Sequence, residues 1–191
     1  MLSYGSIGQL LQVSSDNTFF MYDDAHYILS EKIGIDEAWI NTIHDKLDNL
    51  FRQADVAYVI PRDIDSAWFD TLPVLPMGLR WTMLILQEVL QKYPTIGFKP
   101  VKSELGQSYN TIAAAIVPQG SPIQTFPDVV TLYMQERHQL PIKMACEDLR
   151  IELREAGMLE GNELIYSLYK ALDDYRFAWT NENKTVLVRG N

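Results

Sequence analysis

The chain has 191 residues, of which 47% are apolar and 21% are charged, so it is an ordinary globular chain rather than a disordered or fibrous one. Its net charge of −9 disfavours nonspecific nucleic-acid binding, which depends on Lys and Arg. The single cysteine, Cys146, excludes an internal disulfide. No apolar run reaches membrane-spanning length, and Met1–Gln12 lacks the features of a signal peptide. We therefore expect a cytoplasmic protein without membrane contact.

The first 78 residues are predicted to form an acidic N-terminal part that ends in a proline-rich linker. Residues 1–79 contain 12 Asp and Glu against 4 Lys and Arg. Asp36 is a typical helix N-cap, and apolar residues recur after it at steps of three and four, which predicts an amphipathic helix of about four turns. The apolar residues of this stripe are Trp39, Ile40, Ile43, Leu47, Leu50 and Phe51. Val56–Ile60 is predicted to be extended because Pro61 follows it.

The middle part, residues 79–122, is predicted to be a helical core. Leu79–Tyr93 has the composition of a strongly apolar helix. After it we expect a short helix over Lys102–Leu105, a turn at Gly106 and a second helix over Tyr109–Val117. Glycine suits this turn because the backbone there must adopt a left-handed conformation.

Residues 80–117 resemble the helix-turn-helix superfamily. The resemblance implies that the second helix enters the DNA major groove and that the polar residues near its start contact base edges. Those positions are Gln107, Ser108, Tyr109, Asn110 and Thr111. Lys99 and Lys102 would lie near phosphates, and residues 80–120 are the only third of the chain with a net positive charge, four cations against two anions. The alternative is a structural helix hairpin with a glycine turn and no DNA contact.

The C-terminal part, residues 123–191, has a different pattern. Three amphipathic helices are predicted, over Asp128–Gln139, Ala145–Ala156 and Asn162–Asp174. The β-prone runs Arg176–Thr180 and Thr185–Arg189 flank a four-residue polar tip and predict a hairpin. Three helices followed by a hairpin resemble a winged helix.

The resemblance to a winged helix leaves two functions open for this part. Its candidate recognition helix has three carboxylates against Lys170 alone, which favours protein docking over contact with phosphate. The carboxylates belong to Glu163, Asp173 and Asp174. Lys184 and Arg189 are the residues that could touch a DNA backbone. Phe177 and Trp179 share one face of the hairpin, which we expect to pack on the third helix rather than to stack on bases.

No catalytic motif stands out in the sequence. None of the three histidines has a partner at metal-ligand spacing, and Cys146 is predicted to be a buried small residue. Asp63 and Asp65 are the remaining option for an enzyme, since two carboxylates after a strand can hold Mg²⁺. An ion pair with Arg62 is the simpler interpretation of these carboxylates.

Together these patterns predict an α+β protein that is mostly α, with a helical core, a helix-turn-helix and a C-terminal winged-helix-like unit that ends in a β-hairpin. The function expected first is that of a DNA-associated regulator or replication accessory protein that binds duplex DNA and is not an enzyme. The alternative is an acidic winged-helix adaptor that binds a protein through its N-terminal part or its C-terminal unit, without nucleic-acid contact. We expect no cofactor and no metal, and the oligomeric state is left open.

Overall fold

The computed structural model describes residues 19–21, 27–103, 105, 113–159, 164–180 and 184–190. Within these residues the protein is a mixed α/β chain. It divides into two compact units, a first unit of Met1–Val56 and Asp65–Lys99 and a second unit of Ala57–Ile64 and Pro100–Asn191. Of the described helices, none combines the length and the apolar character that crossing a bilayer requires.

The first unit contains a two-stranded antiparallel sheet and several helices. Its elements are β1 (Phe19–Met21), β2 (Tyr27–Leu29), α1 (Ser30–Ile33), α2 (Glu37–Ala54), α3 (Ser66–Phe69) and α4 (Met83–Lys92). Short 3-10 turns lie at Pro76–Gly78 and Pro94–Ile96. The register of the sheet pairs Phe20 with Ile28, and both residues are buried. Because directly paired residues share a face, the sheet contributes an apolar face to the core of this unit.

The predicted helix after Asp36 is confirmed as α2. The Asp36 carboxylate accepts a hydrogen bond from the backbone N–H of Trp39 at 2.9 Å, as an N-cap residue does. Ile43, Leu47 and Phe51 are buried, so the predicted apolar stripe faces the core.

The predicted helix over Leu79–Tyr93 is shorter in the structure. The helix α4 begins at Met83 because the Thr82 hydroxyl accepts a hydrogen bond from the backbone N–H of Ile85 at 3.2 Å and caps the helix there. The residues before Thr82 stay outside the helix and continue the proline-rich segment.

The second unit combines two small sheets with three helices of the C-terminal part. Its elements after a 3-10 turn at Pro61–Asp63 are β3 (Phe98–Lys102, which begins in the first unit), β4 (Ala113–Pro118), α5 (Phe126–Arg137), β5 (Ile142–Ala145), α6 (Cys146–Glu155), α7 (Ile165–Ala171), β6 (Phe177–Thr180) and β7 (Thr185–Val188). Strand β3 pairs with β4, and the last three strands form an antiparallel sheet in the order β5-β7-β6.

The helix-turn-helix prediction is wrong in the residues that the structure describes. Lys102 ends strand β3, and Ala113–Val117, expected in a helix, lies in strand β4. These five residues are completely buried, and the Ile116 backbone exchanges two hydrogen bonds with Val59, at 2.8 and 3.0 Å. The prediction failed because periodicity does not distinguish a short buried strand from a buried helix. In the folded chain, strand pairing overrides the helix propensity of the alanines. The predicted base-contacting residues lie outside the described residues: Gln107, Ser108, Tyr109, Asn110 and Thr111.

The order of the predicted elements in the C-terminal part is confirmed, but the third helix is shorter than predicted. It extends over Ile165–Ala171 with Leu164 at its N-cap, and the predicted cap Asn162 lies outside the described residues. Helices α5, α6 and α7 lie where helices were expected, and β6 and β7 form the predicted hairpin, with Phe177 opposite Val188. Gly157, at φ +75°, ends the α6 segment in the left-handed conformation that favours glycine. The sequence pattern does not reveal β5, because four residues after a proline are too few to establish a period.

Candidate functional site

Two of the residues expected near phosphates, Lys99 and Lys102, lie on strand β3 and have partly buried side chains. Residues three apart on a strand project from opposite faces, so β3 does not present these lysines as one cationic patch. Lys99 and Lys102 therefore do not form a joint phosphate site on β3.

The other two predicted phosphate contacts, Lys184 and Arg189, are exposed and lie at opposite ends of β7. Five steps of extended strand separate them by roughly 16 Å. The Arg189 guanidinium donates to the backbone carbonyl of Tyr175 at 2.7 Å, and the Lys184 carbonyl accepts from the N–H of Cys146 at 3.0 Å. The two cations thus lie just beyond the two ends of β7 and do not converge on one site.

Helix α7 is held to the core along one side. Leu168 and Leu172, one helical turn apart, are fully buried. They belong to a core cluster that includes three hairpin residues, Phe177, Val186 and Val188. The expectation that the hairpin packs on this helix is therefore confirmed for Phe177. The remaining sides of the helix are accessible, and the Tyr166 side chain is 58% exposed.

Three aromatic side chains from α7 and β6 contact one another in series. We name Tyr166, Tyr169 and Trp179 the aromatic surface. The rings of Tyr166 and Tyr169 are stacked, with centroids 6.4 Å apart and planes 30° apart. Tyr169 meets Trp179 edge to face, with centroids 5.5 Å apart and an angle of 85°. Because an aromatic pair contributes about 0.5–1.5 kcal/mol beyond its burial, the rings hold one another in place.

The helical spacing and the hairpin both support this surface. Lys170 follows Tyr166 by four residues, and its ammonium lies 4.8 Å from the centroid of the tyrosine ring. Trp179 is opposite Val186 in the hairpin and packs against the core. Its indole nitrogen is buried and has no hydrogen-bond partner among the described residues. Trp179 is therefore held by apolar contacts and gives Tyr169 a fixed support.

Arg176, the residue just before β6, is already paired with carboxylates. Arg176 is 7% exposed, its guanidinium donates to both carboxylate oxygens of Asp174 at 2.7 and 2.9 Å, and it lies 2.9 Å from an oxygen of Asp128. The hydrogen bond from Arg176 lowers the pKa of Asp174. Burial opposes ionisation of Asp128, but hydrogen bonds from Gln124, Thr125 and Arg176 outweigh it and lower the pKa of Asp128. Arg176 therefore adds no available positive charge to the surface.

The candidate metal and nucleophile residues have local structural roles. Among the described residues, no group of three or more His, Cys, Asp and Glu side chains could hold a metal ion. The Asp65 carboxylate caps α3 by accepting from the N–H of Trp68 at 2.7 Å, and the Asp63 carboxylate accepts from the N–H of Ile60 at 3.3 Å. Cys146 is buried as predicted, and burial raises the pKa of its thiol, which disfavours the reactive thiolate.

No protein-family model, no curated protein and no solved structure matches the chain. The function of the aromatic surface is therefore inferred from its own geometry.

Tyr166 is not among the surface residues predicted from the sequence. The predicted apolar stripe of this helix consists of Leu164, Ile165, Leu168, Tyr169 and Leu172. Tyr166 lies off that stripe, and an aromatic residue in such a position on an amphipathic helix indicates an exposed ring. This was the sequence feature from which the aromatic surface could have been predicted.

Proposed function

We propose that the second unit is a winged helix that serves as a protein-docking module, so that the chain acts as an adaptor. From α5 to β7 the elements follow the order helix, strand, helix, helix and two strands. The last strand lies between the other two in the sheet β5-β7-β6. In a winged helix with this order, α7 takes the place of the recognition helix and the β6-β7 hairpin that of the wing.

The observation that supports docking is the aromatic surface, which lies where a winged helix would contact DNA. Helices that recognise DNA present polar or cationic residues at their start. Here Leu164 and Tyr166 are 69% and 58% exposed, and the sequence just before them contains Glu160 and Glu163. Carboxylates repel phosphate, whereas Tyr and Trp are enriched in protein interfaces because their rigid rings provide contact area.

The partner that fits this surface is a protein with a basic segment that also carries apolar side chains. Residues 57–64 and 100–191, which form the second unit, contain 13 Asp and Glu against 10 Lys and Arg. Asp173 is exposed just beyond α7. Opposite charge accelerates the encounter and excludes acidic partners, while apolar groups buried on the rings provide most of the affinity.

A photo-reactive phenylalanine analogue at position 166 tests this proposal. Irradiation is expected to join the chain to one protein through a basic segment, whereas the same analogue at Glu155, which is exposed on α6, gives no such product. The purified partner should bind Tyr166→Ala at least about tenfold more weakly than wild type, as expected of an interface hot spot. Tyr175→Ala is the matched control, because Tyr175 is 73% exposed and lies outside the aromatic surface. Equal affinity for wild type and Tyr166→Ala, or an acidic contact segment, contradicts the proposal.

Duplex DNA is the second candidate ligand, because Lys184 and Arg189 are exposed cations at the two ends of β7. A DNA-associated regulator predicts a salt-sensitive mobility shift of duplex DNA that weakens with Lys184→Ala, Arg189→Ala, Lys102→Ala and Asn110→Ala. The adaptor predicts no shift even at low ionic strength. The two functions are therefore separated by one titration of labelled duplex.

A further inference from the structure

The first unit contains a cleft of about 370 Å³ in the segment between α3 and α4. It does not involve the aromatic surface. Its walls include Phe69, Asp70, Leu75, Leu79, Arg80 and Trp81. Clefts of roughly 300–1,000 Å³ that combine aromatic and apolar walls with a few polar groups are typical binding sites for small molecules.

The wall of the cleft is fixed by specific contacts. The indole nitrogen of Trp81 donates to the backbone carbonyl of Pro73 at 2.7 Å, and its ring packs against Trp39 with centroids 5.4 Å apart. Met77 has a φ of +58°, a conformation that side chains other than glycine rarely adopt. The hydrogen bond and the ring contact of Trp81 fix this wall of the cleft without a ligand.

Asp70 and Arg80 give the cleft one charge of each sign. Both residues are exposed and line the cleft. Within the part of the chain that the structure describes, neither side chain makes an ion pair, with the other or with a third residue. Each is therefore available to bind an opposite charge on a ligand.

We propose that this cleft binds a small zwitterion with an apolar side chain, the chemistry of a free amino acid or a dipeptide. The apolar side chain lies between Phe69 and Trp81, the planar guanidinium of Arg80 binds the carboxylate, and the Asp70 carboxylate binds the ammonium group. A simple anion would be repelled by Asp70 and a simple cation by Arg80. A wholly apolar ligand would leave both charges without a partner.

Isothermal titration of the full chain with leucine and with leucyl-leucine tests the proposal. We expect saturable binding of at least one of these probes, and the probe that binds distinguishes the amino acid from the dipeptide. Arg80→Gln and Asp70→Asn should each weaken binding about tenfold, because each removes one charge-assisted contact. N-acetylation of the probe removes its ammonium charge and esterification removes its carboxylate charge, so each modification should also weaken binding about tenfold. Arg52→Gln and Asp45→Asn, at exposed positions of α2, are the matched controls and should not change binding.

Absence of binding by both probes at millimolar concentration overturns the proposal. Unchanged binding by Arg80→Gln and Asp70→Asn overturns it as well. Ser66→Trp provides an independent test, since Ser66 is exposed and lines the cleft, so that an indole there fills the space. Retained binding in this variant would also contradict the proposed site. These outcomes do not depend on the adaptor function, which concerns the second unit alone.

Discussion

The aromatic surface and the cleft both expose apolar side chains, but they differ in shape and in the state of their charges. The aromatic surface lies on a helix whose opposite side is buried in the core, and the nearby Arg176 is already paired with Asp174 and Asp128. The cleft is concave, and Asp70 and Arg80 have no ion-pair partner within the described residues. Exposed apolar area alone therefore does not identify a ligand. Rings on a helix suit a partner protein, whereas a concave site with two available charges suits a small zwitterion.

The strongest test of this contrast removes the anchor of α7. Leu168→Ala should lower the free energy of unfolding of the second unit by about 2–5 kcal/mol, because it deletes a fully buried side chain and leaves a cavity. Urea unfolding together with hydrogen exchange of second-unit amides measures this loss. Partner binding should fall with it, while zwitterion binding in the cleft should persist. A loss below about 1 kcal/mol would show that α7 is not held by this contact.

Removal of the paired cation should have the next largest effect. Arg176→Met leaves the carboxylates of Asp174 and Asp128 without their guanidinium partner, and we expect a loss of about 2–3 kcal/mol. This is less than for a fully buried pair, because the side chains of these carboxylates are 21% and 24% exposed. Arg150→Met is the control, because the side chain of its partner Glu147 is 51% exposed and this ion pair should stabilise the unit less. Equal losses of unfolding free energy in the two variants would show that the ion pairs of Arg176 stabilise the protein no more than an ordinary surface ion pair.

Acid should weaken the same network more gently. The pKa values of Asp128 and Asp174 lie below their ordinary value of 3.8, so their stabilisation is fully present above that pH. It is lost as the pH falls through the lower pKa values of the folded protein. Urea unfolding of the second unit at a series of pH values should show this decline below about pH 4. Asp174→Asn should reduce the loss of unfolding free energy as the pH falls. An unchanged pH dependence in that variant would show that Asp174 does not cause this loss.

Loss of the cleft's internal hydrogen bond should have a smaller effect. Trp81→Phe removes the donor to the Pro73 carbonyl and should destabilise the first unit by about 1 kcal/mol. Zwitterion binding should weaken, because the wall of the cleft is no longer fixed. Trp68→Phe, with no side-chain hydrogen bond among the described residues, serves as the control. Hydrogen exchange and calorimetric titration of both variants measure the two effects.

The smallest change in stability is expected at the aromatic surface itself. Tyr166→Ala should alter the free energy of unfolding by no more than about 0.5 kcal/mol, because the side chain is more than half exposed. Partner binding should nevertheless fall. Thermal unfolding of Tyr166→Ala and Leu168→Ala side by side separates a docking residue from a core residue. A large loss of stability in Tyr166→Ala would make its effect on binding indirect.

Much of the secondary structure follows from local patterns. The Asp36 cap, the apolar stripe of α2 and the glycine after α6 are features of a few neighbouring residues, and each has the role that its residue type predicts. The helices and the hairpin of the C-terminal part could likewise be read from period and turn composition, since both depend on residues close together in the chain.

The pairing of strand β4 and the side chains that meet at the two surfaces could not be predicted from local sequence patterns. Ala113–Val117 forms a strand because it pairs with distant residues such as Val59, and a run of apolar residues carries no periodic information about that pairing. Trp179 lies against Tyr169 because the hairpin packs beside α7, and Asp70 and Arg80 share one cleft because Trp81 ties the loop to Pro73. Composition and spacing thus establish a globular α/β chain with a helix-rich C-terminal part. Which side chains meet at a surface is set by the packing of one element or loop against another, which periodicity and caps do not specify.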